Sequence, residues 1–206
     1  MKYVYCTVAV APLRKEASHR SEMVSQLLRD ETAKVIETEN GFIHLRCLYD
    51  GYQGWCAANQ IAAASEAGIP ALGSLPFEAP AIREAAMEYL EVPYLWGGRS
   101  RCGIDCSGFS QQVFRKFGIA LPRDAWQQAE KGEGVGFLQE VQCGDLAFFD
   151  NEEGRITHVG IMLSPEEIIH ASGKVRIDRI DHQGIVNTET GHRTHRLRII
   201  RRYKKP

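Results

Sequence analysis

Hydrophobic and polar positions divide this chain into stretches of different period. Over residues 1–62 the pattern is short and alternating. Val4, Val8 and Val10 begin a run of period two, which Pro12 is expected to break. Further runs follow at 24–28, 33–37, 42–48 and 52–56, and the tight-turn dipeptides Asn40-Gly41 and Asp50-Gly51 separate them. Short strands at this density predict a small β-barrel. Residues 63–80 are rich in Ala, Gly and Pro, with Gly68, Pro70, Gly73, Pro76 and Pro80 as punctuation, and read as a linker.

The period then becomes helical. Residues 81–90 predict a helix that Pro93 ends. Phe109, Val113, Phe114 and Phe117 recur at near-helical spacing and Gly118 stops the run, so a second helix begins close to Cys106. Leu121-Pro122-Arg123-Asp124 opens a third, running to about Lys131. Strand patterns finish the chain at 144–149, 158–163, 167–171, 175–180 and 195–203. Helices first and an antiparallel meander second make an α+β domain, with no period that marks a repeat protein. The expected division is 1–64 for the barrel, 65–80 for the linker and 81–206 for the α+β domain.

Composition narrows the function classes. A chain of 206 residues with 44% apolar content forms one large or two small domains with real cores. A net charge of −1 gives no basic footprint for nucleic acid. The Arg- and Lys-rich end, 196–205, alternates with Leu197, Ile199 and Ile200 and reads as a terminal strand. Six cysteines, at 6, 47, 56, 102, 106 and 143, form no CxxC pair, so neither a structural metal nor a disulfide framework is expected. The first residues make a poor signal peptide and no stretch is long enough to span a bilayer. The expectation is a reduced, cytoplasmic setting without a membrane partner.

The chemistry concentrates in Tyr94-Leu95-Trp96-Gly97-Gly98-Arg99-Ser100-Arg101-Cys102-Gly103-Ile104-Asp105-Cys106-Ser107-Gly108. Cys106 falls in the first turn of a predicted helix, with Asp105 or Ser107 able to cap it. A thiol there feels the positive end of the helix dipole, which favours thiolate, and the glycines let a substrate approach closely. A nucleophile and a small apolar Cys at a helix–loop junction both fit this stretch. His158 begins one predicted strand and His170 lies in the next, so hairpin pairing would set them side by side, one orienting the other. His19, His44, His182, His192 and His195 read as structural or exposed.

Five motifs stand in a telling order: Asp105-Cys106-Ser107-Gly108, Leu121-Pro122-Arg123, Gly144-Asp145-Leu146 with Phe148-Phe149, His158-Val159-Gly160-Ile161, and Ile169-His170-Ala171. From Pro93 to Ile180 the chain resembles the NlpC/P60 cysteine peptidases. The resemblance implies a papain-like fold of helices plus antiparallel sheet, cleavage of bacterial cell-wall peptides, and no metal or organic cofactor. It implies Cys106 as nucleophile, His158 as general base and then acid, and His170 as the group that orients His158. Tyr94 lies where the family often has a Tyr whose hydroxyl assists the oxyanion; packing beside Trp96 is its other reading. The backbone N–H of Cys106 is a second oxyanion donor. Asp105 and Ser107 are candidates for substrate binding as well as capping.

Pro12-Leu13-Arg14, Ser18-His19-Arg20-Ser21-Glu22-Met23-Val24-Ser25-Gln26-Leu27 and Asp50-Gly51-Tyr52-Gln53-Gly54-Trp55 resemble the bacterial SH3 module attached to γ-D-glutamyl-L-diamino acid endopeptidases. In that subgroup the SH3 domain narrows the catalytic groove and holds the free N-terminal amine of the substrate. Glu22 and Tyr52, with Glu16 in reserve, are the candidates for that ammonium. The resemblance implies a monomeric cytoplasmic peptidase that hydrolyses the γ-D-Glu–diamino acid bond of murein peptides carrying a free N-terminal L-Ala. Rival readings are a hydrolase of intact peptidoglycan tethered by its SH3 domain, a non-catalytic wall-binding protein, and an acyl transferase. Lysine and diaminopimelate both remain open at the diamino position.

Overall fold

Inward and outward positions alternate along the first strands, and this alternation builds the first of two units. In β1 (Tyr3–Cys6), Val4 and Cys6 are buried while Tyr3 and Tyr5 are half-buried. The computed structural model describes residues 2–65, 68 and 72–204. The chain divides into two compact units, Met1–Ala71 with Leu95–Ser100, and Leu72–Tyr94 with Arg101–Pro206. The linker expected over 65–80 lies partly outside the described residues.

The first unit continues with β2 (Val10–Arg14), β3 (Met23–Leu28), β4 (Thr32–Glu39), β5 (Phe42–Cys47), β6 (Gln53–Ala57) and β7 (Ile61–Ala64). They pair antiparallel in the order β3-β2-β6-β5-β4-β1-β7. Val4, Cys6, Leu13, Leu27, Leu45 and Cys56 fill its core. Asn40 and Gly41 both have positive φ, 47° and 79°, as a two-residue hairpin turn requires, and Glu39 pairs with Phe42 across it. Pro12 does not break the first run; it lies inside β2, opposite Gln26. Because β2 pairs with β6 only at Arg14, the proline sits where no second ladder needs its missing N–H.

The segment Leu95–Ser100 completes this unit and ends in β8 (Arg99–Ser100). Arg99 is 1% exposed. Its guanidinium donates to Glu31 Oε2 at 2.9 Å and Oε1 at 3.2 Å, and to the Gln26 carbonyl at 2.7 Å. Gly97 makes the approach possible, since it has φ of 76° and a Cβ there would lie 2.6 Å from the Met23 carbonyl oxygen.

The second unit places three helices against a sheet that closes on itself. Helix α1 (Ala79–Met87) starts earlier and ends earlier than the pattern predicts. Pro80, read as linker, occupies its first turn, where a fixed φ and a missing N–H cost nothing. After β9 (Gly103–Ile104), α2 (Cys106–Arg115) buries Phe109, Val113 and Phe114, and Gly118 turns the chain out with φ of 83°. Helix α3 (Ala125–Ala129) is shorter than expected because Asp124 caps it and residues 121–124 stay outside the helix.

The strands are β10 (Glu133–Val135), β11 (Leu146–Asp150), β12 (Ile156–Met162), β13 (Glu167–Ser172), β14 (Lys174–Asp181), β15 (Gly184–Val186) and β16 (Arg193–Arg202). Their order is β10-β16-β11-β12-β13-β14-β15, and β15 also pairs with β16, so six of them form a closed ring. One face of this sheet packs on the helices through Leu146, Phe148, Val159, Ile161 and Ile169. The other carries a smaller core of Ala147, Phe149, Met162, Ile168 and Ile180.

Candidate active site

Asp105, extended at φ −96° and ψ 177°, is the N-cap of α2, and its Oδ1 accepts from Gly108 N at 2.7 Å. That fixes Cys106 as the first residue of the helix, 6% exposed. The backbone of Val159, the residue after His158, is among the groups that act on the thiol. Burial, and then the Asp105 charge, push it up to about 12; the Val159 and Ser107 backbone and Arg123 act the other way and do not prevail. The thiolate expected from the helix dipole alone is therefore not the resting state. A buried helix terminus still leaves the sulfur desolvated, and desolvation wins.

Asp105 and Ser107 are both engaged within the protein. Arg123 donates to Asp105 Oδ1 at 3.1 Å, to its Oδ2, and to Ser107 Oγ at 2.8 Å. Arg123 and Asp105 are both buried, so neither charge is left without its opposite. The Leu-Pro-Arg motif thus clamps the start of α2. Tyr94 lies beside this cluster, half-buried, its backbone N–H donating to the Gly173 carbonyl at 2.9 Å. Burial, then the Cys106 and Asp105 charges, raise its phenol well above the usual range, so the hydroxyl stays a donor.

His158 and His170 belong to paired strands, with Gly160 directly opposite His170. A Cβ on Gly160 would lie 2.6 Å from Ile168 Cδ1 and 2.9 Å from His170 Cβ, so glycine lets the second imidazole cross the strand. His158 Nε2 and His170 Nδ1 are 2.8 Å apart, and His170 Nε2 is 3.0 Å from Asp178 Oδ2. Burial alone would raise the Asp178 carboxyl. Hydrogen bonds from His170, Thr188 and Arg176 instead hold it well below the usual carboxylate range. An ionised Asp178 can only accept, so the tautomers follow in sequence. His170 gives Nε2–H to Asp178, His158 gives Nε2–H to His170, and His158 Nδ1 keeps its lone pair.

Two neighbours of this line escape sequence reasoning. Asp178 sits one diagonal step from His170 on the β13–β14 hairpin, opposite Ile168. Nothing in the sequence singles it out from the other charged residues of β14. His195, read as structural or exposed, lies with its ring stacked on His158, centroids 4.1 Å apart at 25°. Burial, followed by the charges of His170 and His195, keeps His158 well below the usual imidazole range and so neutral. His195 is pulled down to about 4, by burial first and then by His170. One ring nitrogen from each of His158, His170 and His195 lies within 4.8 Å of the other two.

The remaining candidates belong to the first unit. Glu22 is exposed, and its Oε1 accepts from the Trp96 indole N–H at 2.8 Å, so Trp96 has a partner other than Tyr94. Tyr52 is half-buried in the turn before β6, its N–H bonded to Asp50 Oδ1 at 3.0 Å. Glu16 is exposed.

Comparison with known proteins agrees with both units. Residues 91–194 match the NlpC/P60 family, and residues 13–61 match the bacterial dipeptidyl-peptidase Sh3 domain. A γ-D-glutamyl-L-lysine dipeptidyl-peptidase of Bacillus subtilis (strain 168) is 46% identical over 85 residues, covering 40% of this chain and 28% of that protein. A protein of Escherichia coli (strain K12) named murein DD-endopeptidase MepS/murein LD-carboxypeptidase is 40% identical over 93 residues, covering 44% of this chain and 48% of its own. The matched part thus spans less than half of either relative. A crystal structure of an NlpC/P60 family protein from Bacillus cereus superposes with a TM-score of 0.54 at 24% identity, covering 98% of this chain and 63% of that one. That likeness is one of fold.

Proposed function

Because the chain belongs to the NlpC/P60 family, we propose that it is a cysteine peptidase acting on the γ-D-Glu–diamino acid bond of wall peptides whose N-terminal L-Ala amine is free. The observation that carries this reading is the pairing of two things in one chain. The second unit holds a buried Cys at a helix start and a His–His–Asp hydrogen-bonded line. The first unit matches an Sh3 domain of the dipeptidyl-peptidase type. Release of such peptides precedes their reuse, which fits a role in recycling wall fragments.

In this reading His158 Nδ1 takes the Cys106 proton as the sulfur attacks the γ-carbonyl carbon. The oxyanion is met by the Cys106 backbone N–H and the Tyr94 hydroxyl, and one such donor is worth about 10²–10³ in rate. The His158 imidazolium is stabilised through His170 by the Asp178 carboxylate. It then gives its proton to the departing α-amine of the diamino acid, and water, deprotonated by His158, releases the γ-D-glutamyl acyl group from sulfur. Glu22 and Tyr52 are the proposed partners of the substrate ammonium, with Asp105 and Ser107 as groups that shape the site around the nucleophile.

The test is a paired hydrolysis assay on L-Ala-γ-D-Glu-diaminopimelate with its amine free and with its amine acylated. Cleavage of the free peptide alone supports the reading. Equal cleavage of both removes the amine requirement. It would favour a hydrolase of intact wall, a reading supported by the similarity to the E. coli protein named a murein endopeptidase.

A further inference from the structure

We propose that His158, His170 and His195 form a binding site for a divalent transition-metal ion with the size and nitrogen preference of zinc, and that filling it switches off the proton path through His158. Binding itself is independent of the peptidase reading; the inhibitory consequence rests on it.

Three imidazoles with a fourth position open to water are a common zinc donor set. Their ring nitrogens already lie within 4.8 Å of one another. Zn–N bonds of about 2.0–2.1 Å in a tetrahedral array put two nitrogens roughly 3.3 Å apart. His158 Nε2 and His170 Nδ1 are 2.8 Å apart, so they would separate by about half an ångström as His195 closes in. His170 stands nearly perpendicular to the other two rings, at 84° to His158 and 86° to His195, and offers its nitrogen from a separate direction. The stacked pair presents two ring edges side by side. Thr194 Oγ1 holds His195 Nδ1 at 2.8 Å, which leaves Nε2 to face an ion.

The surroundings suit a ligand set. Metal-bound histidines typically give their other N–H to a carboxylate, which fixes tautomer and orientation. His170 already does so with Asp178, which is itself held by Arg176 and by the Thr188 backbone and hydroxyl. The proton balance is closed. The ion takes Nε2 of His158, and the proton that sat there moves to Nδ1 of the same ring. No proton is released, and Nδ1 can no longer accept one from Cys106.

The experiment titrates the full chain, freed of metal by a chelator, with Co²⁺ and Zn²⁺. It is run on the unaltered protein and on Cys106→Ala, His195→Gln, His195→Phe and Asp178→Asn, each checked for folding by its melting transition. The expected result is one ion per chain, a tetrahedral cobalt spectrum without a sulfur charge-transfer band, and unchanged binding in Cys106→Ala. Both His195 variants should bind more than about tenfold more weakly, and Asp178→Asn about tenfold more weakly. Absence of saturable binding overturns the site, as does unchanged affinity in the folded His195 variants. A thiolate–cobalt band in the unaltered protein, together with loss of binding in Cys106→Ala, would instead place the ion on Cys106 and His158, and also overturns it. A chain that binds the ion yet cleaves no wall peptide keeps the site and overturns only the inhibition.

Discussion

His170 Nε2 and Asp178 Oδ2 lie 3.0 Å apart across the β13–β14 hairpin, both 1% exposed. The carboxylate sets which nitrogen of His170 carries the proton, and through it which nitrogen of His158 keeps its lone pair. Asp178→Asn preserves shape but removes that preference. A carboxylate bonded directly to the catalytic imidazole is worth about 10⁴ in kcat. One ring further back, the expected loss in kcat is about 10²-fold with little change in KM. Steady-state kinetics on the free tripeptide check this, and an unchanged kcat would remove Asp178 from the line.

Cys106→Ala should lower turnover by roughly four orders of magnitude or more, while calorimetry still detects tripeptide binding. Hydrolysis by this variant at the unaltered rate would end the cysteine mechanism.

Gly160→Ala puts a methyl 2.6 Å from Ile168 Cδ1 and 2.9 Å from His170 Cβ. Overpacking of this kind typically costs about 1–3 kcal/mol. The variant should melt earlier and lose kcat disproportionately, because His170 as well as Ile168 must shift. A melting transition equal to that of the unaltered protein would show that the hairpin yields easily.

In the first unit Arg99→Met removes the buried guanidinium opposite Glu31, and breaking a buried ion pair typically costs about 3–5 kcal/mol. The double variant Arg99→Met, Glu31→Met removes both charges and should recover most of it. Urea unfolding followed by tryptophan fluorescence compares them. Equal destabilisation in the single and double variants would contradict the pairing.

The strands of both units were legible because one face of each is buried, which imposes a period of two on residues such as Val4 and Cys6, or Val159 and Ile161. β10 and β15, three residues each, are too short to carry a period. The expected thiolate depended on a helix terminus that is visible in sequence and on a burial that is not. His195 reaches His158 through strands distant in sequence: β16 pairs with β11, whose Phe149 lies opposite both His158 and Leu197, and with β15 to close the ring. No local pattern announces such a closure. Asp178 was hidden differently, as one charged residue among the many on β14.

The first unit is written in two places along the chain, with residues encoded after the start of the second unit completing it. It is therefore no interchangeable cassette. A gene cut between the units would yield an N-terminal piece without Arg99 and a C-terminal piece carrying a stray strand. Recombination or fusion at that junction would part Arg99 from Glu31 and break the buried ion pair of the first unit.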